Sequence, residues 1–156
     1  MKVTILGSGG ATGTPAVGCG WGDLDHKNPK NNRLRSSILV ENVDTCILVD
    51  TSPDLRQQLL NANVERLDAV LYTHYHADHL HGIDDLRQIN RSMNAAIDIY
   101  ADVDTINSIK DRFGYVLEPL AGDSKSYYKP TLNPHTLNNG DRLTIGDVDI
   151  DVFVQD

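Results

Sequence analysis

The chain has 156 residues, 40% of them hydrophobic and 23% charged, which is the composition of an ordinary globular protein. Its formal net charge of −8 argues against a broad nucleic-acid surface, because phosphate binding needs a surplus of Lys and Arg on one face. No stretch approaches the roughly 20 apolar residues of a membrane span, and no export signal opens the chain. With two cysteines and no disulfide framework, we expect one domain over residues 1–156 in the cytoplasm, with no membrane partner.

The first half of the chain predicts strands that alternate with helices. Apolar runs predict strands over residues 3–6, 37–40, 45–49 and 67–73. A long irregular stretch rich in glycine separates the first two. After the third strand, Ser52 can cap a helix whose first position is Pro53 and whose inner face carries Leu55, Leu59 and Leu60.

The second half continues the same order. A helix is predicted from about residue 83 to 90, a strand over 97–101, and a helix capped by Asp102 or Asp104 that stops at Gly114. Residues 115–139 show no regular pattern. A hairpin then pairs residues 142–145 with 148–154 across Gly146 and Asp147, a pair that favours a type II′ turn. Mixed strands and helices in this order predict an α/β fold.

Residues 74–79, called the metal loop below, read His-Tyr-His-Ala-Asp-His and place four metal-ligand side chains in six positions. The loop directly follows the predicted strand 67–73, so these side chains lie at the mouth of a strand. The competing interpretation is a group of solvated loop residues that happen to cluster. A lone His-x-His pair would be weak evidence, but four such residues together favour a metal site.

The donor types of the metal loop indicate a hydrolytic site. Imidazole and carboxylate suit Zn, Mn or Fe, and no Cys lies nearby to make a thiolate-rich structural site. The His-x-His pair can turn toward one ion and the Asp-His pair toward a second. Two ions about 3.5–4 Å apart can share a water, lower its pKa towards 7 and clamp the oxygens of an ester.

An HxHxDH run after an apolar strand resembles the signature of the metallo-β-lactamase-fold hydrolases. Residues 47–54 are similar to the strand-Asp motif of that family, and residues 80–87 to its helix after the metal loop. The glycine-rich residues 6–15 and residues 33–37 are similar to its PhnP-like phosphodiesterase branch, which is more distantly related to ribonuclease Z. The resemblance implies a metallo-β-lactamase-like αββα sandwich, of which this chain forms the N-terminal portion only.

The resemblance also implies a ligand set. In it His74 and His76 hold a first divalent ion and Asp78 and His79 a second, the two ions being Zn or Mn, with Asp78 also catalytic. A hydroxide shared by the ions would attack phosphorus. Two further residues would lie behind these ligands. Asp50 steadies the loop or a ligand imidazole, with the alternative that it is an ordinary strand-end Asp, and His81 faces the pocket or solvent.

One departure from the family concerns the remaining ligands. The family takes a third metal-binding His, a bridging Asp and a final His from later strands, and His135 stands in a context that does not match. We therefore expect the natural chain to continue beyond residue 156. The expected activity is hydrolysis of small cyclic or nucleotide-like phosphodiesters, with a homodimer left open. The alternatives are a ribonuclease-Z-like RNA-processing hydrolase and a non-catalytic metal-binding fragment.

Overall fold

The computed structural model describes residues 1–122 and 126–154. Within them, six strands form one sheet in the order β1 to β6, and two more form a hairpin. The strands are β1 Lys2–Gly7, β2 Ser37–Glu41, β3 Cys46–Val49, β4 Ala69–Leu71, β5 Ile97–Ala101, β6 Leu132–Thr136, β7 Arg142–Ile145 and β8 Val148–Asp151. The helices are α1 Leu55–Ala62, α2 Ala77–Leu80, α3 Leu86–Met93 and α4 Val103–Phe113, with 3-10 turns at Pro29–Asn31, Ile83–Asp85 and Gly114–Leu117.

The direction of the strands determines where a site can form. β1, β2 and β3 pair antiparallel, whereas β3, β4, β5 and β6 pair parallel. Parallel neighbours need crossover connections, and α1, α3 and α4 lie in those crossovers. The carboxyl ends of β3 to β6 therefore meet at one edge of the sheet.

The two faces of the sheet pack against different layers. One face and the helices form the main core, in which Leu48, Val70 and Ile99 of the strands are fully buried with Leu55 and Ile109 of the helices. The other face packs on the hairpin in a smaller cluster. Its buried members are Ile47, Ala69, Ile145 and Val148. This layered arrangement confirms the α/β prediction, and no helix in the described residues is long and apolar enough to cross a membrane.

Helix α1 begins later than predicted. The Ser52 hydroxyl accepts the backbone N–H of Asp54 at 3.2 Å, so the turn at Pro53 precedes the helix instead of starting it. Leu55 and Leu59 are buried as expected, but the inward position of Leu60 is wrong, because its side chain is 56% exposed. Leu60 follows Leu59 by one residue, a rotation of roughly 100°, which turns it away from the sheet.

Strand β6 is a strand that the sequence did not predict, since residues 115–139 carry no alternating pattern. Among the residues that the structure describes, β6 pairs with β5 alone, and it includes Pro134, which an edge strand tolerates because its outer side makes no ladder bonds. His135 stacks on Tyr100 with ring centroids 4.6 Å apart, and its Nε2 lies 3.3 Å from Asp98 Oδ1. Its contacts are thus within the sheet.

Helix α4 and the hairpin follow their predicted ends closely. The Asp102 carboxylate accepts the Thr105 N–H at 2.7 Å, as an N-cap does, and α4 ends before Gly114. Gly146 has a φ of 56°, and Asp147 is not among the positive-φ residues, as a type II′ turn requires. β8 ends at Asp151, three residues earlier than predicted.

Candidate metal centre

The metal loop leaves the sheet at the carboxyl end of β4. Its backbone is extended at His76, with φ −66° and ψ 153°, and then turns into the short helix α2. His76 therefore comes from extended chain, while Asp78 and His79 lie in the single turn of α2. The segment after β3 holds that turn in place, because the Thr51 N–H donates to the His79 carbonyl at 2.8 Å.

Three imidazole rings of the metal loop converge. The ring centroids of His74 and His79 are 4.1 Å apart, and those of His74 and His76 are 4.7 Å apart. The side chain of His79 is 19% exposed and that of neighbouring Asp78 is 21% exposed. The cluster is thus half-sheltered but open on one side.

Asp50 joins the end of β3 to the metal loop. It is 4% exposed and has a φ of 63°, a left-handed conformation that Asp adopts more readily than most residues. Its Oδ1 accepts the Thr73 N–H at 2.8 Å, and its Oδ2 accepts the Thr73 hydroxyl at 2.8 Å. The same Oδ2 lies 2.7 Å from His79 Nδ1.

These hydrogen bonds determine which ring nitrogens are free. A carboxylate only accepts, so His79 Nδ1 carries a proton and is not open to a metal ion. The single hydroxyl proton of Thr73 is donated to Asp50, so the 3.0 Å contact from Thr73 Oγ1 to His74 Nδ1 requires a proton on Nδ1 of His74. Nε2 is therefore the nitrogen that each ring leaves for a metal ion, as in metal-binding histidines when a partner holds the other nitrogen.

The electrostatic setting favours the neutral form of His74. Burial is the largest cause that lowers its pKa below the ordinary value, followed by the neighbouring imidazoles of His79 and His76. A neutral imidazole is the form that binds a metal ion.

The donor chemistry of the loop fits a divalent metal, although the four side chains do not by themselves enclose one. Three imidazoles and one carboxylate are the donors that Zn and Mn accept. Asp78 Oδ2 lies 3.3 Å from His79 Nε2, so these two candidate metal-ligand atoms contact each other. Across residues 1–122 and 126–154, no three His, Cys, Asp or Glu side chains form a group that could hold a metal ion as they stand.

The two other expected site residues, His81 and Asp50, differ in their contacts with the metal loop. His81 is exposed, and its ring lies edge-on to Phe113 of α4 with centroids 5.4 Å apart. Asp50, by contrast, contacts the loop directly. Two residues with contacts to the loop were missed from sequence. The sequence position of Thr73, directly before the first histidine, could have indicated a hydroxyl near the ligands. No sequence pattern indicates Arg112, because 38 positions separate it from His74.

A cavity of about 540 Å³ opens beside His74. Thr73 and Asp102 line it at the ends of β4 and β5, and Leu137 lines it after β6. Val152, Phe153 and Val154 add apolar side chains to its lining, and Phe153 is 79% exposed. The cavity lies at the edge where the parallel strands end, the usual place for a ligand in such a sheet.

A mixed sheet with helices on one face, and with an HxHxDH loop at the carboxyl end of a parallel strand, defines the metallo-β-lactamase class of fold. The chain belongs to this class: the family described as Beta-lactamase superfamily domain matches residues 45–155. A crystal structure of a new diphosphatase from the PhnP family superposes with a TM-score of 0.80 and 30% identity, over 96% of this chain and 54% of that one. The predicted fold is confirmed.

Two curated relatives match shorter parts of the chain. An octanoyltransferase of Porphyromonas gingivalis is 43% identical over 117 residues, which is 74% of this chain and 23% of that protein. A ribonuclease Z of Bradyrhizobium sp. is 33% identical over 96 residues, which is 60% of this chain and 30% of that protein. The chain thus spans less than a third of either relative and about half of the diphosphatase.

Proposed function

We propose that this chain supplies the metal loop of a metal-dependent phosphodiesterase that acts on small cyclic or nucleotide-like phosphodiesters. The observation that carries the proposal is the set of converging imidazoles, of which His74 and His79 present Nε2 through their hydrogen bonds to Thr73 and Asp50. A solvated cluster of histidines would not need a buried carboxylate to orient it.

In this proposal His74 and His76 hold a first Zn or Mn ion, and Asp78 and His79 hold a second. Ions bound there would activate a water nucleophile and neutralise charge on the phosphoryl oxygens. Asp78 is also the proposed catalytic residue, because a carboxylate can accept a proton from the attacking water. Asp50 keeps the His79 ring in place. His81 is proposed to support the loop from outside the ligand set and not to bind the metal.

Two observations support small phosphodiesters as the substrate class. The diphosphatase of the PhnP family shares 30% identity with nearly the whole chain, which favours phosphoester chemistry. The cavity beside His74 joins an imidazole to apolar side chains, which suits the sugar or base of a nucleotide-like diester more than an extended polyanion. A cytoplasmic location and a homodimer remain predictions.

Two alternatives can be separated from this proposal. The similarity to a ribonuclease Z favours RNA processing, but the net charge of −8 disfavours a long RNA footprint. The second alternative, which the ligand set leaves open, is a non-catalytic metal-binding role for this chain. The octanoyltransferase activity belongs to a protein of which the matched segment is 23% and supports no proposal for this chain.

The test is hydrolysis of an aryl phosphodiester by the chain with Mn or Zn added separately, together with direct measurement of metal binding. His76→Ala serves as the control for both. The proposal expects metal binding and metal-dependent hydrolysis, both lost in the variant. A chain that binds no metal would overturn the proposal.

The alternatives give different results in the same assays. Metal binding that is lost in His76→Ala, without hydrolysis of any diester, would support the non-catalytic role for this chain. Salt-sensitive binding of RNA, with cleavage of RNA and not of the small diester, would support the processing alternative.

A further inference from the structure

The last turn of α4 contacts the metal loop although the two segments lie far apart in sequence. Arg112 Nη1 donates to the backbone carbonyl of Tyr75 at 3.2 Å, and its guanidinium carbon lies 5.7 Å from the centre of the Tyr75 ring. The Tyr75 ring in turn meets the His76 imidazole edge-on, with centroids 5.5 Å apart and planes at 82°. One guanidinium thus holds both the backbone and the ring of the residue between the first two histidines.

Helix α4, which carries Arg112, is held in place at its N-terminus and by the main core. Its N-terminus is capped by Asp102, and Ile109, three residues before Arg112, is completely buried in the main core. Phe113, the next residue, meets the ring of His81 on the far side of the metal loop. The helix end therefore contacts residues on both sides of Asp78 and His79.

His76 differs from the other two histidines of the loop in how it is held. The hydrogen bonds to Thr73 and Asp50 orient His74 and His79, whereas no hydrogen bond to the His76 ring is seen within the described residues. The Tyr75 ring is the support of His76 outside the cluster itself, because the other aromatic neighbour of His76 is His74.

We propose that Arg112 is a positioning residue that sets the orientation of the His76 imidazole through Tyr75. The proposal rests on the proposed function in so far as His76 is a metal ligand. An edge-to-face aromatic pair and an exposed cation–π contact are each modest interactions, so losing the guanidinium should weaken metal binding roughly 2- to 10-fold.

The sign of the effect separates positioning from simple charge. Removing a positive charge near a site for a dication favours metal binding by Coulomb's law. Arg112→Gln should nevertheless weaken binding if the guanidinium acts by orienting His76. Lys110→Gln is the matched control, because it removes a positive charge from the same exposed last turn of α4 without a contact to Tyr75.

The experiment measures zinc affinity by competition with a chromogenic chelator for the wild type, Arg112→Gln, Arg112→Lys and Lys110→Gln. We expect weaker binding for Arg112→Gln, partial recovery for Arg112→Lys, whose ammonium can still donate to the carbonyl, and unchanged or tighter binding for Lys110→Gln. Thermal unfolding in the presence of EDTA identifies any variant that is generally destabilised.

A second readout needs no metal. In the metal-free protein, the imidazole resonances of His76 should shift in Arg112→Gln, because the Tyr75 ring current changes, while those of His135 stay fixed. Unshifted His76 resonances, or equal zinc affinities for Arg112→Gln and Lys110→Gln, would overturn the proposal. If the wild type binds no zinc, the proposed function fails, and the His76 resonances still decide the role of Arg112.

Discussion

Thr73 and Asp50 are joined by two hydrogen bonds of 2.8 Å, one from the Thr73 N–H to Oδ1 and one from its hydroxyl to Oδ2. The pair links the end of β3 to the residue that precedes the metal loop. Because the same hydroxyl accepts from His74 and the same carboxylate accepts from His79, one pair of residues orients two proposed ligands.

Thr73→Val should release the His74 ring while keeping the shape of the side chain. Loss of the hydroxyl removes the acceptor that places the proton on Nδ1, so nitrogen-15 NMR should show His74 as a mixture of tautomers. Zinc affinity should fall about 10-fold, as for other groups that support a ligand. Thr73→Ser keeps the hydroxyl and should resemble the wild type; an equal loss of affinity in both variants would contradict the orienting role of the hydroxyl.

Asp50→Asn should weaken metal binding about 10- to 100-fold. Asn tolerates the left-handed backbone of this position, but its amide cannot accept from Thr73 and His79 at both ends as the carboxylate does. Isothermal titration with zinc measures the change. Asp98→Asn makes the same replacement in β5, where the carboxylate contacts Asn133 and His135, and should leave zinc affinity intact. Full affinity in Asp50→Asn would exclude the orienting role.

Gly82→Ala should lower the free energy of unfolding by about 1–3 kcal/mol through overpacking. A Cβ at this position would lie 2.0 Å from the Ser52 carbonyl oxygen, although the φ of −86° suits any residue. Gly114→Ala is the matched control, because it meets nothing within 4 Å and lies in a right-handed conformation. It should stabilise by about 0.4–1 kcal/mol. Urea denaturation of both variants measures the free energy of unfolding, which should fall in Gly82→Ala and rise in Gly114→Ala.

Cys46 should resist alkylation while Cys19 reacts. Burial, and then the charge of Glu41, raises the pKa of the Cys46 thiol from 9.0 to about 11, so at pH 8 roughly 100-fold fewer thiolates are present than at the ordinary value. Cys19 is exposed. Iodoacetamide labelling followed by mass spectrometry, with Cys19→Ser as the control, measures each rate. Rapid labelling of Cys46 at pH 8 in the folded protein would contradict the expectation.

The same thiol links stability to pH. The folded state raises its pKa, so its contribution to stability is complete below pH 9 and is lost as the pH rises through about 11. Replacement of Cys46 by Ala should therefore reduce the loss of stability between these values, as measured by urea denaturation at pH 8 and pH 10.5.

Local pattern was sufficient for most of the fold. The strands β2, β3 and β5 are short apolar runs between turn residues, and the Asp102 cap and the Gly146 turn have a chemistry that depends on neighbouring residues only. The prediction for Leu60 was wrong because each residue of a helix turns by roughly 100°, so the neighbour of a buried residue can point to solvent. β6 failed because its pairing with β5 depends on a partner more than 30 positions away, which no local pattern records.

The candidate site shows the same division. The metal loop is contiguous, so its four donors could be read from sequence, and the resemblance drew attention to Asp50. The hydrogen bonds that select the tautomers of His74 and His79 require the left-handed turn at Asp50, which only the folded chain reveals. Arg112 reaches Tyr75 through the crossover of α4, and sequence spacing carries no information on that contact.

The parallel run from β3 to β6 divides the site into a part that carries the proposed donors and a part that lines the cavity. The proposed donors and Asp50 follow β3 and β4, whereas the end of β5 with residue 102, and residues 137–138 after β6, line the cavity beside His74. Loops tolerate exchange better than the elements that carry them. A designer could therefore exchange the residues after β6 to change which molecule fits, while the chemistry after β3 and β4 and the contact of Arg112 with the metal loop are left untouched.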